Sequence, residues 1–186
     1  MNETRVGKLL IANPMMDETN PFSKSVIYIY QDSKTNGSVG VILNKPTRTK
    51  VQHLCLDQGV GFPYSRPVVY NGGPVNASAM VLLHSDEWQS SNTAFAGRNY
   101  AVTSDQVMLH KLAQDDAPVY WRLCMGISAW APGQLDMEIA GQFPYNVANQ
   151  WLTATANDDI MFNYDGEKQW RKALEICSQE VINQFF

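Results

Sequence analysis

Long apolar runs are missing from this sequence: the most extended, such as Ala79 to Leu83, fall far short of the roughly 18 residues that a membrane-spanning helix needs. A charged leader with an apolar core is missing too, since Met1-Asn2-Glu3-Thr4-Arg5-Val6-Gly7 is polar, so no secretory signal is read there. Cysteine is scarce. Cys55, Cys124 and Cys177 are odd in number, widely spaced and form no C-x-x-C pair, which suits reduced thiols serving as small buried hydrophobes in a reducing compartment. A cytoplasmic protein with no membrane partner is the expectation. A basic excess is absent as well: 14 Lys and Arg against 18 Asp and Glu leave a net charge of -4, a field that repels phosphate polyanions. The densest positive cluster, Lys45, Arg48 and Lys50, reads as a solvated loop or helix start. Specific nucleic-acid binding is not expected.

Motifs for common chemistry are also lacking. Neither G-x-x-x-x-G-K-[ST] nor G-x-G-x-x-G occurs, which removes the usual phosphate cradles. His53, His84 and His110 share no metal-ligand spacing, so neither a metal nor a cofactor is expected. Asp136 and Glu138 lie two apart on an expected helix and so do not share a face, which makes a poor acid/base pair. The nearest thing to a catalytic signature is Gly126-Ile127-Ser128-Ala129-Trp130. It lacks the second glycine of G-x-S-x-G, and Ser128 reads as an ordinary small residue in a strand-to-helix turn.

What is present is enough for a packed core. The chain has 186 residues, 45% of them hydrophobic, and a domain of this size buries roughly 70% of the surface its unfolded form exposes. No linker or repeat divides residues 1–186, which read as one domain. Gly7–Asn13, Ser25–Tyr30 and Ser38–Leu43 are expected strands, the last two joined as a hairpin through a polar turn ending in Asn36-Gly37. A short helix over Lys50–Leu56, strands at Val68–Tyr70 and Ala79–Leu83, and a long polar loop over Asp86–Asn99 follow. Thr103-Ser104-Asp105-Gln106 fits a capping box for a helix over Ser104–Gln114. Val119–Ser128 reads as a central strand, and Pro132 as the first turn of a helix. Trp170, Ala173, Leu174, Cys177 and Val181 recur with helical spacing, as a helix packed on a sheet would. Strands early and helices late, without regular βαβ alternation, predict an α+β fold with a mixed, largely antiparallel, coiled sheet packed with several helices.

The same segments carry a family resemblance. Leu9-Leu10-Ile11-Ala12-Asn13-Pro14 followed by Ser25-Val26-Ile27-Tyr28 resembles the opening pattern of the AlgH/YqgE family, and Gly40-Val41-Ile42-Leu43-Asn44-Lys45-Pro46 resembles its glycine, hydrophobic, Asn-Lys/Arg-Pro element. Val75 after Gly72-Gly73-Pro74, Leu82-Leu83-His84, Gly133-Gln134-Leu135 before Glu138, and Trp151-Leu152-Thr153 continue it in register. The resemblance implies a transcriptional-regulator role in a family without a recognised DNA-binding motif, exerted through a protein partner or small ligand. One departure stands out: Ala79-Met80-Val81 occupies the place of the family's Arg-Gly-Phe, so an anionic ligand gripped by that arginine would not be shared. The alternative is a small-molecule enzyme, hydrolase-like, near the Gly72-Gly73-Pro74 corner and His84. Both readings point to one candidate pocket made by Asn44, Gly72, Gly73, His84, Trp130 and Gln134. There the glycines allow close approach, Asn44, His84 and Gln134 supply polar tips, and Trp130 gives an apolar wall. No feature of the sequence sets an oligomeric state.

Overall fold

The computed structural model describes residues 4–142 and 150–186, so the expectation for the N-terminal segment falls partly outside the described residues. The strands are β1 (Lys8–Ala12), β2 (Val26–Ser33), β3 (Gly37–Ile42), β4 (Pro46–Lys50), β5 (Val68–Asn71), β6 (Val75–Ser85), β7 (Thr93–Phe95), β8 (Tyr100–Thr103), β9 (Trp121–Trp130) and β10 (Trp151–Thr155). The helices are α1 (Val51–Asp57), α2 (Val107–Ala113), α3 (Gln134–Ala140), α4 (Asp158–Phe162) and α5 (Gly166–Phe185). The strands form one sheet in the order β10-β1-β2-β3-β9-β6-β8-β7, with β4 and β5 off this path. Among the described residues every pairing is antiparallel except that of β5 with β9. This is the α+β class and the coiled, largely antiparallel sheet expected of the sequence.

The sheet curls on itself. Leu9, Ile11 and Tyr28 from β1 and β2 share a core with Val81, Leu83 and Tyr100 from β6 and β8, so the two wings of the sheet meet across its inner face. The Tyr28 hydroxyl donates to the Ala96 carbonyl, and the edge of its ring faces Tyr100 at 5.7 Å. At the same seam Gly7 and Gly97 pack backbone against backbone, a contact that only glycine permits. Helix α5 lies on this inner face through Trp170, Ala173 and Cys177. The outer face carries two further clusters. Val51, Cys55, Met108, Leu109 and Leu112 of α1 and α2 cover Leu82 and Leu123, while Leu135 of α3 covers Leu10, Ile27, Trp130 and Trp151. With both faces covered, Leu9, Leu10, Ile11, Ile27, Tyr28 and Ile29 are all fully buried. That is why β1 and β2 read as unbroken apolar runs without alternation.

The hairpin falls where Asn36-Gly37 placed it, with Gly37 in the left-handed region at φ 81°. Several expectations need correction. β4 was hidden because Pro46-Thr47-Arg48-Thr49-Lys50 is polar and pairs with β5 alone. The Asp86–Asn99 segment contains β7, which pairs with β8 alone. The capping box does not form: α2 starts at Val107, and Asp105 accepts from the Met108 amide at 2.8 Å while the Thr103 hydroxyl bonds to His84. Pro132 sits ahead of α3, which begins after Gly133 in the left-handed region. Ser128 lies inside β9 and not in a turn. Val181 is half-exposed, because α5 runs on past the strands it packs against. The three cysteines are free and buried, as read.

Candidate functional site

The six residues expected to make one pocket occupy three separate places. Asn44, Gly72 and Gly73 lie at a fork in the sheet. β3 pairs with β9 through Ser38–Gly40, and then the end of β5 wedges between them: the Ile42 amide donates to the Gly72 carbonyl at 2.9 Å and the Gly72 amide to the Met125 carbonyl at 2.9 Å. A Cβ on Gly72 would overlap the Gly126 carbonyl, and one on Gly73 would overlap the backbone of Ile127. The glycine corner is therefore filled by the protein's own main chain and leaves no backbone amide cradle for a ligand. Gly126, at φ 80°, kinks β9 to make room for the wedge. Asn44 is 3% exposed and fully engaged: its oxygen accepts from the Val26 amide at 2.9 Å and its nitrogen donates to the carbonyls of Lys24 and Gly166. Ser128 is buried in the same fork and donates to the Gly72 carbonyl at 3.1 Å.

His84 lies elsewhere. It pairs with Trp121 at the start of β9, whereas Trp130 ends that strand, on the order of 25–30 Å away at about 3.3 Å per residue. The His84 ring is fully buried, with Nδ1 2.8 Å from the Ser85 carbonyl, Nε2 2.8 Å from the Thr103 hydroxyl and Trp88 edge-on at 5.1 Å. A carbonyl can only accept, so Nδ1 carries the proton and Nε2 accepts from Thr103, whose hydroxyl in turn lies 2.6 Å from that of Thr93. Burial holds the His84 pKa below its ordinary value, against opposing pulls from the Ser85 carbonyl and the Glu87 and Asp86 carboxylates. A neutral, closed-in imidazole results.

Trp130 and Gln134 do meet, around a residue that sequence reasoning dismissed. Glu138 is buried, and its Oε2 accepts from the indole nitrogens of Trp130 at 3.0 Å and Trp151 at 2.9 Å, while Oε1 accepts from Gln134 at 2.9 Å. Phe22 closes the cluster, its ring 6.0 Å from Trp130 and 5.6 Å from Trp151. The rings touch one another, so the box is packed and not open. Asp136, two residues earlier, points to solvent and pairs with Arg5, as the helical spacing required.

Arg122 was also overlooked, although a lone arginine in the apolar run Trp121-Arg122-Leu123-Cys124 was a legible signal. It is 6% exposed, lies 4.2 Å from the Tyr70 ring and donates to the carbonyls of Leu43, Phe162 and Tyr164 and to the Gln169 side chain. Burial lowers its pKa from the ordinary value, and no carboxylate bonds to it among the described residues. No group of three or more His, Cys, Asp or Glu side chains that could hold a metal, and no helix long and apolar enough to cross a membrane, occurs among the described residues. A cleft of about 310 Å³ bordered by Arg5, Asp32, Lys34, Ser38 and Asp136 includes none of the six expected residues.

A family described as AlgH-like matches residues 9–181. The chain belongs to the AlgH-like family. Among curated relatives, a UPF0301 protein of Gluconobacter oxydans is 33% identical over 171 residues, covering 90% of this chain and 88% of the relative. A UPF0301 protein of Ruegeria pomeroyi is 34% identical over 182 residues, covering 95% and 93%. The solution structure of the AlgH protein from Pseudomonas aeruginosa superposes with a TM-score of 0.75 at 25% identity, covering 95% of this chain and 90% of that one. The fold of this AlgH-like chain is thus shared along nearly its whole length.

Proposed function

We propose that this AlgH-like domain is a non-enzymatic regulator that acts through a protein partner or small ligand and does not grip DNA directly. The observation that supports this reading is how the chemically capable side chains of the core are spent. Asn44, His84, Arg122, Ser128 and Glu138 are all at least nine-tenths buried, and every one is committed to fixed partners within the fold. A general base must reach the proton it removes, and a nucleophile must reach an electrophile. His84 and Ser128 are closed off from both. The net charge of -4 supports an indirect mode of action.

Three measurements test the proposal. Transcript profiling of a strain lacking the gene is expected to show changes that the wild-type protein restores; unchanged transcripts would refute the regulatory role. A mobility-shift titration with DNA from the affected promoters, at about physiological salt, is expected to give no specific complex. Sequence-specific affinity near 10⁻⁸ M, typical of direct binders, would refute the indirect mode. A fluorophosphonate probe is expected to leave Ser128 unlabelled, and labelling abolished by Ser128→Ala would restore the hydrolase alternative.

A further inference from the structure

The inner face of the curled sheet is filled by α5 at one end and left open at the other. At the open end Tyr30 of β2, Ala79 and Val81 of β6, Ala94 of β7, Val102 of β8 and Ile127 of β9 line a cleft of about 210 Å³. Two irregularities in the sheet border it. The β2–β3 register shifts between Ile29 and Gln31, which makes Tyr30 the extra residue of a bulge, and the β6–β9 register shifts between Val75 and Met80. Bulges re-aim side chains, and here one places a phenol among apolar neighbours.

We propose that this cleft binds a small uncharged molecule, about eight to ten non-hydrogen atoms in size, with an apolar body and one hydrogen-bond acceptor that meets the Tyr30 hydroxyl. The size follows from the volume, which holds about ten atoms at the density of a packed interior. The single polar anchor follows from the hydrogen-bond inventory. Tyr28, Tyr64 and Tyr100 donate their hydroxyls to Ala96, Asp115 and Asp158, whereas those of Tyr30, Tyr70, Tyr120 and Tyr164 meet no partner among the described residues, and of these four only Tyr30 lines the cleft. The polar groups at the rim are already engaged with one another: Asn92 Nδ2 donates to the Ser104 carbonyl at 3.1 Å, and the Ser104 hydroxyl to the Met80 carbonyl at 2.8 Å. Burial pushes the Tyr30 phenol up to about 12, with a smaller contribution from Cys124, so at neutral pH it stays protonated and donates. The Asp105 carboxylate, which accepts from the Asn92 amide at the rim, and the apolar walls both disfavour an anion. This site is independent of the regulatory reading, which its failure would leave standing.

Amide-resolved NMR titrations of the full chain with three probes of matched size test the site: acetophenone, which has the carbonyl; ethylbenzene, which lacks it; and benzoate, which carries a charge. Acetophenone is expected to shift saturably the amides of Tyr30, Ala79, Ala94, Val102 and Ile127, and to bind several-fold to tenfold more tightly than ethylbenzene. Tyr30→Phe is expected to erase that preference while ethylbenzene binding persists, and Ala79→Phe to fill the cleft and abolish both. Benzoate is expected to bind most weakly. Shifts scattered over other surfaces, an unchanged preference in Tyr30→Phe, or benzoate binding as tightly as acetophenone would overturn the proposal. If Tyr30→Phe does not fold, the wild-type shift map and the Ala79→Phe titration decide the matter.

Discussion

Among the described residues the Glu138 side chain has three hydrogen-bond partners, all three donate, and no salt bridge reaches it, so both its oxygens act as acceptors. Gln134 cannot turn its amide round to suit a new neighbour, because its own oxygen accepts from the Ala131 amide at 2.9 Å. Glu138→Gln therefore sets an NH₂ group against a donor whichever way it turns. It is expected to cost roughly 1–3 kcal/mol, the usual penalty for a stranded buried polar group. A chain of this length loses about 2–4 °C in melting temperature per kcal/mol, so a thermal melt should fall by about 2–12 °C. An unchanged melt would mean that the carboxylate is not tightly held. His84 makes a different prediction. Its folded pKa is depressed by burial, so below the ordinary histidine value of about 6.5 the unfolded chain takes up a proton that the folded chain resists. Stability is unaffected by this group above that pH and declines as pH falls beneath it, by up to about 1.4 kcal/mol per pH unit. Urea unfolding between about pH 7.5 and 5 should show the decline, and His84→Gln should flatten it. An equally steep slope in the variant would assign the effect to other groups.

Elements with strong local punctuation were legible before the structure. The Asn36-Gly37 hairpin, the apolar β1 and the helical spacing of Trp170, Ala173 and Cys177 depend on neighbours close in sequence or on one dominant face. What was not legible depended on distant partners. Thr103 looked like a helix cap because its bonding to His84, nineteen positions away, has no local signature. The separate surroundings of the six candidate residues were hidden for the same reason: a buried Asn, His or Gly reads alike whether a ligand or the protein satisfies it. Here Asn44 is satisfied by Gly166 and Gly72 packs against Gly126. Asp105 is the actual start signal of α2, accepting from the Met108 amide and the Ser90 hydroxyl through one oxygen and from the Asn92 amide through the other. Asp105→Ala is expected to destabilise the fold by about 1–2 kcal/mol in denaturant unfolding, whereas Thr103→Ser, which keeps the hydroxyl, should cost less. An Asp105→Ala variant as stable as the wild type would show that this carboxylate does not start the helix.

Across the whole molecule, Arg122 ties the centre of the sheet to the C-terminal helices. Its four acceptors come from the end of β3, from α4 and the turn after it, and from α5. Arg122→Met keeps much of the length but strands those acceptors, and at roughly 1–3 kcal/mol for each group left without a partner the loss should exceed about 3 kcal/mol. Hydrogen exchange should quicken first in α4 and α5 and only later in β6 and β9; uniform quickening would show that the arginine is no clasp. The strand order has a consequence of another kind. β1 sits between β2 and β10, with Lys8 opposite Thr155, so the first strand of the chain acquires one of its two neighbours only from near the other end. Contacts between such distant positions slow folding, because a long loop must close before they form. During translation β1 and β2 can pair early, yet one edge of β1 stays bare until residue 155 has left the ribosome. An exposed apolar edge is where nascent chains stick to one another. A cell making this protein quickly should therefore need a chaperone most in the interval between the synthesis of its first strand and its last.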